Sequence, residues 1–381
     1  MRPIGTLLRA PAFWDAPRSL LSDAVLPLSM IYAAATRLRD ACARPPMVAP
    51  APVVCVGSVL VGGSGKTPVA LALGQLLAAQ RPSLAVHYLS RGYGGTAAGP
   101  LRVQPGMHEA AEVGDEPLLL AAVAPTWVGR RRSDSATAAC ASGAQLLIMD
   151  DGLQHPLLHR DLSLLCVDRA YLLGNGRVLP AGPLREPAAR GYAKADAVVA
   201  LSYPCDDAPS ASSSNSPSSL AASAAASRGG DFTGCNALAS AEELRKRLGM
   251  PDELPLLLAR LEPDAEAAAR IARKRVVAFS GTARPQRFFD TLTALGCELV
   301  RAPLALPDHS PIDARTLQSL QREASVHGAL LVTTSKDAAR LTASERAGLS
   351  CLSATIRWLE GSESALDELL GPLARRACSP P

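Results

Sequence analysis

The sequence predicts an α/β protein of two domains with mainly parallel sheets, the second domain smaller than the first. Apolar runs of strand length alternate with helical patterns in both halves of the chain, as is typical of parallel sheets covered on both faces. A Ser- and Ala-rich stretch that cannot build a core separates the two series. The 381 residues, 48% of them hydrophobic, are enough for two cores. The predicted segments are an N-terminal amphipathic helix region (1–45), a first domain (46–205), a low-complexity insertion (206–230) and a C-terminal α/β domain (231–381).

The N-terminal segment predicts an amphipathic helix. Its apolar residues recur at alternating steps of three and four, which places them on one helical face. They are Leu21, Ala24, Leu28, Ile31, Ala35 and Leu38. Arginines flank this stripe, so the helix could lie in a membrane interface with its arginines toward anionic head groups, or it could pack on the protein's own core. No uncharged apolar run reaches the roughly 18 residues of a spanning helix, and Pro27 should split the helix.

The next element carries a phosphate-binding pattern. A β-branched run from Val53 to Val56 leads into Gly62, Gly63, Ser64 and Gly65, and a helical pattern follows Lys66 and Thr67. In a P-loop, backbone N–H groups face the phosphates, the lysine reaches the outer phosphates and the threonine hydroxyl binds Mg²⁺. Leu60 stands where the strict pattern has a glycine. We predict a nucleoside triphosphate site; the alternative is a glycine-rich turn without a ligand.

Charged groups follow several further strands. Arg91 lies in SRGYGG (90–95), Asp115 in VGDEP (113–117) and Arg130 in VGRRR (128–132). The strand LLIMDDG (146–152) ends in Asp150 and Asp151, the form of a Walker-B element that completes Mg²⁺ coordination. Sequence does not decide which aspartate contacts the metal. Open α/β sheets bind ligands at the edge where these strands end.

A long loop and a second strand–helix series complete the chain. The loop GNGRVLPAGPLREP (174–187) is rich in glycine and proline, and ordered loops of that length are usually functional. With Arg91 and Arg130, its Arg185 is a candidate clamp for phosphates, although a solvated surface role remains open. A strand is predicted at 255–261. The later elements are predicted as strands at 275–283, 297–300 and 329–337 and helices at 286–295 and 313–327.

Composition excludes several classes of function. A formal charge of +4 and the absence of aromatics interleaved with basic residues argue against a nucleic-acid partner. Nine cysteines without C-x-x-C spacing argue for free thiols and against a zinc site. Cys55 and Cys166 lie in apolar strands and are expected in the core.

Six motifs together resemble the tetraacyldisaccharide 4'-kinase family of lipid A synthesis. In order they are GGSGKTP, SRGYGG, VGDEP, DDGLQH, GNGRVLPAGPLREP and PQRFFDTL. The resemblance implies a kinase that uses ATP and Mg²⁺ to phosphorylate the 4'-hydroxyl of a tetraacylated glucosamine disaccharide 1-phosphate. It also implies a helix attached to the membrane, on the cytoplasmic face of a bacterial inner membrane or, in a eukaryote, on an organelle membrane.

The resemblance assigns roles to particular residues. Asp115 matches the family's base, which would take the sugar hydroxyl proton; the alternative is a helix N-cap. His155 in DDGLQH can reach the same site or be a satisfied loop residue. His309 in PDHSP resembles the first histidine of a DHH-type motif, in which Ser310 replaces the second. The second domain departs most from the family, with SGTARP (280–285) for a shorter turn and TSKD (334–337) for TEKD.

Three rival functions remain at this stage. A MinD-like ATPase switch also binds membranes, but that class has a lysine where Val61 stands. A non-catalytic nucleotide-binding relative would lose the acceptor groups, whereas Asp115, Asp150 and Asp151 are all present. A different small-molecule P-loop kinase shares the phosphate site, and only the loop at 174–187 speaks against it.

Overall fold

The computed structural model describes residues 11–16, 19–204 and 240–378. The predicted insertion at 206–230 therefore lies outside the described residues. Up to residue 204 the elements are a 3-10 turn (Ala12–Trp14), α1 (Leu20–Ala24), α2 (Leu26–Ala41), β1 (Val53–Gly57), α3 (Lys66–Gln80), β2 (Val86–Ser90), β3 (Leu101–Arg102), α4 (Ala110–Val113), α5 (Asp115–Ala121), β4 (Thr126–Val128), α6 (Arg132–Ala141), β5 (Leu146–Asp150), β6 (Leu162–Asp168), α7 (Ala188–Tyr192) and β7 (Ala197–Ser202).

From residue 240 the elements are α8 (Ala241–Leu248), β8 (Leu256–Pro263), α9 (Ala265–Ile271), β9 (Arg275–Ser280), α10 (Pro285–Ala294), β10 (Glu298–Leu299), β11 (Leu304–Ala305), α11 (Ala314–Val326), β12 (Leu330–Thr334), α12 (Ser335–Ala338), β13 (Leu349–Leu352), β14 (Ala354–Leu359) and α13 (Ser362–Cys378). Each predicted strand and helix of the second series has a counterpart here, with boundaries shifted by a few residues.

A nine-stranded sheet forms the larger part of the described chain. Its order is β14-β8-β7-β6-β1-β5-β2-β4-β3, and all neighbours are parallel except the outer pairs β14–β8 and β3–β4. Every residue of β1, β5, β6 and β7 is buried, Cys55 and Cys166 among them, because helices cover both faces. The predicted fold class is confirmed. The carboxyl ends of β1 and β5 lie side by side, so the loops that follow them meet at one edge.

The second sheet is smaller and wholly parallel. Its order is β10-β9-β12-β13, and β11 pairs with β9 beyond the end of β10. The strands surround a core that includes Val276, Phe289 and Val332 on one face and Phe279 and Leu320 on the other.

The predicted C-terminal domain at 231–381 differs from the structure. β8 pairs with β7 and β14 pairs with β8, so both strands belong to the nine-stranded sheet. Helix α13 packs on the same core through Leu366 and Leu370. The second sheet and its helices are therefore an insertion between Pro263 and Ala354. We call this insertion the second domain and the rest of the described chain the first domain. The pattern of apolar residues gives each strand but not the sheet that it joins, which is why the boundary was misplaced.

The N-terminal helices dock with a polar face. The chain breaks at Val25, and Pro27 lies in the first turn of α2, as predicted. Ser22 Oγ donates to the Ala181 carbonyl (2.7 Å) and Ser29 Oγ to the Val178 carbonyl (2.8 Å). Both serines are almost fully buried, and seven residues apart they share one face.

The predicted apolar stripe faces away from the protein. Leu21, Leu28, Ile31 and Leu38 are each more than half exposed, with 65% exposure at three of them. Packing of this stripe on the protein's own core, one of the two interpretations left open by the sequence, is therefore wrong. Among the described residues, no helix is long and apolar enough to cross a membrane.

Gly74 in α3 packs against Tyr88, so a substitution there tests how tightly the core is packed. A Cβ at this position would lie 1.9 Å from the hydroxyl oxygen of Tyr88, which donates to the Ala70 carbonyl. Glycine to alanine usually stabilises a helix interior. Here we expect Gly74→Ala to lower the free energy of unfolding by about 1–3 kcal/mol, because the buried ring must move. Chemical denaturation measures the change, and Gly74→Ala combined with Tyr88→Phe should recover part of it. A stabilised Gly74→Ala protein would contradict this packing.

Candidate active site

The loop between β1 and α3 has the backbone of a phosphate cradle. Gly62, Gly63 and Gly65 have φ values of 71°, 57° and 77°, a region that favours glycine. No side chain caps the start of α3, which leaves its first N–H groups available to an anion. Leu60, which replaces the glycine of the strict pattern, has no positive φ and is 1% exposed. Glycine is therefore not needed at that position.

The structure brings the predicted metal residues together. Thr67 Oγ1 donates to Asp150 Oδ2 at 2.9 Å. Lys66 Nζ lies 3.8 Å from Asp151 Oδ1 and 3.4 Å from Ser64 Oγ. The other oxygen of Asp150, Oδ1, is buried and finds no hydrogen-bond partner within the described residues. A hydroxyl beside a buried carboxylate with one free oxygen fits a magnesium ion.

The two aspartates differ in charge environment. Burial, together with the negative charges of Glu116 and Asp151, raises the pKa of Asp150 to about 7, against the opposing effect of Lys66. Burial also acts to raise the pKa of Asp151, but Lys66 and Arg185 outweigh it and hold that pKa below its usual range. Asp150 is therefore the carboxylate that lacks a cation, whereas Asp151 already has two.

Arg185 holds Asp151 in place. Its Nη1 and Nη2 donate to the two carboxylate oxygens at 2.7 and 3.0 Å, a bidentate pair. Nη1 also lies 3.2 Å from Gln154 Oε1. Sequence reasoning made Arg185 a clamp for a ligand phosphate. The structure instead engages it with Asp151, the residue that follows the end of β5.

Asp115 lies where the two sheets meet. It is the first residue of α5, the N-cap position belongs to Gly114, and its carboxylate is 4% exposed. Asp115 is therefore not the N-cap residue, although its Oδ1 accepts a hydrogen bond from the Glu116 N–H at 3.0 Å. From the second domain, His309 Nδ1 lies 3.2 Å from both carboxylate oxygens, and Arg340 Nε donates to Oδ2 at 2.8 Å.

Asp115 remains ionised in spite of its burial. Burial acts to raise the pKa of Asp115, but the hydrogen bond to His309 and the charges of Lys336 and Arg340 hold it well below its usual range. Arg340 is itself anchored, since Nη1 donates to the Gly281 carbonyl (3.0 Å) and to Asp337 Oδ1 (2.9 Å).

Sequence reasoning missed Lys336 and Arg340. Their spacing of four in KDAAR puts both on one side of the turn after β12. That spacing was the available signal, but only the tertiary structure shows that this turn faces Asp115.

A cavity of about 690 Å³ connects these groups. Among the predicted residues, those that line it are Arg91, Arg130, Asp150, Asp151, His155 and Arg185. Lys66, Asp115 and His309 are not lining residues, but each touches one that is. Lys66 lies beside Asp151, Glu116 follows Asp115, and the Tyr93 ring packs edge-on against His309 with centroids 5.2 Å apart. The P-loop side and the Asp115 side thus border one space.

One wall of the cavity comes from α2. Tyr32, Thr36 and Asp40 line it, and Asp40 pairs with Arg190 at 2.9 Å across the gap to α7. The helix therefore presents one face to the cavity and its exposed apolar stripe to the outside. No residue of the stripe lines the cavity, so a ligand there would lie against a different face of the same helix.

Positive charge is concentrated at the His155 side of the cavity. Arg132 is 3% exposed, and its Nη2 lies 3.4 Å from the Asp150 carbonyl while its Nε finds no partner within the described residues. Burial first, and then Arg132, Arg160 and Arg91, lowers the pKa of His155 to about 4. Its Nδ1 is also without a partner in the described part of the chain. Such a group of cationic donors suits an anionic ligand.

The chain is similar to one protein family over most of its length. The family model described as LpxK, tetraacyldisaccharide-1-P 4'-kinase, matches residues 21–372. A tetraacyldisaccharide 4'-kinase of Rhodospirillum centenum is 46% identical over 370 residues, covering 96% of this chain and 97% of the relative. Its counterpart from Dinoroseobacter shibae is 44% identical, covering 96% and 98%. A crystal structure of "apo" form LpxK from Aquifex aeolicus in complex with ATP has a TM-score of 0.63 at 23% identity, covers 93% of this chain and 99% of that one, and shares its fold.

The low pKa of His155 predicts a pH effect on stability. In the unfolded chain the His155 ring has a pKa near 6.5, whereas in the folded protein this pKa is about 4. His155 therefore contributes stability above pH 6.5 that is lost as the pH falls toward 4. Between pH 7 and 5 we expect the wild type to lose about 1 kcal/mol more than His155→Gln, a value reduced for partial solvent screening. Urea titrations at both pH values measure this difference, and equal losses in the two proteins would contradict it.

Proposed function

This chain belongs to the tetraacyldisaccharide-1-P 4'-kinase family, and we propose that it transfers the γ-phosphate of ATP to the 4'-hydroxyl of a tetraacylated glucosamine disaccharide 1-phosphate in lipid A biosynthesis. The family predicted from the six motifs is confirmed, and the MinD-like alternative is not favoured. The observation that carries the proposal is the arginine-rich cavity that lies between the end of β5 and α2, the helix whose outer face carries the exposed apolar stripe.

The phosphate chain of ATP belongs at the start of α3. The free N–H groups after Gly65 face the phosphates, and Lys66 neutralises their charge as it now does that of Asp151. Thr67 and Asp150 would hold a Mg²⁺ ion, which when bound neutralises charge on the β- and γ-phosphates. Arg185 keeps Asp151 turned toward Lys66.

The acceptor hydroxyl belongs on the Asp115 side. A carboxylate must be ionised to accept a proton, and the hydrogen bond to His309 together with the charges of Lys336 and Arg340 keeps Asp115 ionised at neutral pH. Those same charges make it a weak base. Phosphoryl transfer passes through a loose transition state in which the nucleophile loses its proton late, so orientation of the hydroxyl counts for more than basicity.

The remaining arginines suit the phosphate that the acceptor lipid already carries, its 1-phosphate. Arg91, Arg130 and Arg132 line the cavity together with His155, whose neutral ring can donate a hydrogen bond. We assign these groups to the 1-phosphate, and Arg185 to positioning of Asp151. The acyl chains would then extend past α2 to the exposed stripe.

We also propose that the stripe holds the protein on the membrane surface. Four large apolar residues of α1 and α2 are more than half exposed on one side, while serines anchor the opposite side. An amphipathic helix of this kind lies in the interface with its apolar side down. This gives a peripheral attachment on the cytoplasmic face of an inner membrane.

The direct test of the proposed function is a transfer assay. Purified protein is incubated with γ-labelled ATP, Mg²⁺ and the acylated disaccharide 1-phosphate in detergent micelles, and the label is followed into the lipid fraction. Label in the 4'-phosphate supports the kinase. Release only as inorganic phosphate would favour an ATPase switch instead.

Asp115→Asn separates chemistry from binding. The amide cannot accept the proton, so we expect kcat to fall by about 10²–10⁴-fold while the Kd for ATP changes little. Label transfer and calorimetry measure the two quantities. Asp313→Asn is the control, since this exposed carboxylate only caps α11. Turnover near the wild-type value would remove Asp115 from the role of base.

The membrane stripe can be tested without touching the cavity. We expect the triple variant Leu28→Ser, Ile31→Ser, Leu38→Ser to bind vesicles containing anionic lipid at least about tenfold more weakly, since each side chain contributes burial in the interface. Co-sedimentation measures the partitioning. Val326→Ser removes an even more exposed apolar residue from the second domain and serves as the control. Equal binding by all three proteins would refute attachment through α2.

A further inference from the structure

Lys336 occupies a position between the two domains that none of the roles above explains. It lies in α12, in the turn TSKD. Its Nζ is 3.1 Å from Glu116 Oε1 of the first domain, 3.2 Å from His309 Nε2 and 3.8 Å from Asp308 Oδ1. It therefore touches the outer nitrogen of the same ring whose inner nitrogen faces Asp115.

The chemistry of an ammonium group fixes the direction of these hydrogen bonds. A lysine ammonium has three N–H donors and no acceptor. Toward Lys336, His309 Nε2 must therefore accept, and the neutral ring carries its single proton on Nδ1. An ionised Asp115 can only accept, so the Nδ1–H donates to it over 3.2 Å. Each donor along the series from lysine through histidine to aspartate meets an acceptor.

The surrounding charges make this arrangement depend on Lys336. On its own loop, Asp308 Oδ2 lies 3.8 Å from His309 Nε2 and would favour a proton there. Asp115 favours a proton on the other nitrogen, Nδ1. Glu116 pairs with Lys336, and Arg340 pairs with Asp115 and with Asp337. The Tyr93 ring covers the remaining edge. Without Lys336, carboxylates would face both nitrogens and the ring would take a proton at Nε2.

We propose that Lys336 is a positioning residue of the kinase: its contact with Nε2 holds His309 in the Nδ1–H tautomer, which orients Asp115 toward the acceptor hydroxyl. The inference rests on the proposed function. In this arrangement Lys336 acts through His309 and touches neither substrate. Its bond to Glu116 ties the same group to the cavity wall.

Histidine ¹⁵N NMR tests the tautomer directly. The full chain has six histidines, so long-range ¹H–¹⁵N spectra of selectively labelled protein are tractable, and His309→Gln assigns the signal. We expect a protonated Nδ1 and an unprotonated Nε2 in the wild type. In Lys336→Met we expect protonation of Nε2, while Lys336→Arg, which also only donates, keeps the wild-type pattern. A protonated Nε2 in the wild type, or no change in Lys336→Met, overturns the proposal.

Kinetics provide the second readout. We expect Lys336→Met to lower kcat about tenfold or more with the KM for ATP within about threefold of wild type, and Lys336→Arg to recover most of the loss. Lys274→Met, which alters an exposed lysine of the same domain, is the control. A wild type that labels no lipid would refute the kinase but leave the NMR result standing, and wild-type kcat in Lys336→Met would refute the role of Lys336 alone. Because the wild-type spectrum is itself decisive, a misfolded Lys336→Met protein does not remove the test.

Discussion

The buried carboxylate of Asp115 joins the two domains through ionic hydrogen bonds. An ionised group at 4% exposure is costly unless it is paired and hydrogen-bonded, and breaking a buried pair costs about 3–5 kcal/mol. Its partners, His309 and Arg340, lie in loops of the second domain. Moving that domain away leaves the charge without compensation. The contact that completes the site is therefore also one of the contacts that hold the domains together, beside the pairs of Arg284 and Arg287 with the buried Asp168.

Both sheets direct their carboxyl ends toward this contact. Asp150 ends β5, Gly281 follows β9 and Lys336 follows β12, so each loop that carries a functional group leaves its sheet at the same edge. Parallel strands make this possible, since every crossover helix returns the chain to the opposite edge. The arrangement gathers residues far apart in sequence at the ends of strands, outside the strand interiors.

Local chemistry was predictable from the sequence, but pairing between distant segments was not. Gly65, Lys66 and Thr67 are consecutive residues of one turn, so their spacing alone indicated their place. Arg185 could have faced a ligand or Asp151, and no pattern within the loop at 174–187 distinguishes the two. The stripe beginning at Leu21 had a clear periodicity, yet periodicity does not say which side meets the protein; the buried Ser22 and Ser29 decided that. β8 and β14 have the pattern of any strand, and only their register assigns them to the larger sheet.

The insertion of the second sheet between β8 and β14 has a mechanical consequence. Pro263 and Ala354 are paired neighbours, and the Asp264 N–H donates to the Ser353 carbonyl at 2.9 Å, so the chain leaves and returns through one antiparallel ribbon. A domain attached by two hydrogen-bonded strands can rotate about an axis across them once its ion pairs with the first domain open, whereas twisting or sliding would break the ladder. Rotation of the second domain about that single axis would widen the gap between this domain and the P-loop. The same rotation would let the nucleotide enter and would separate Asp115 from Arg340.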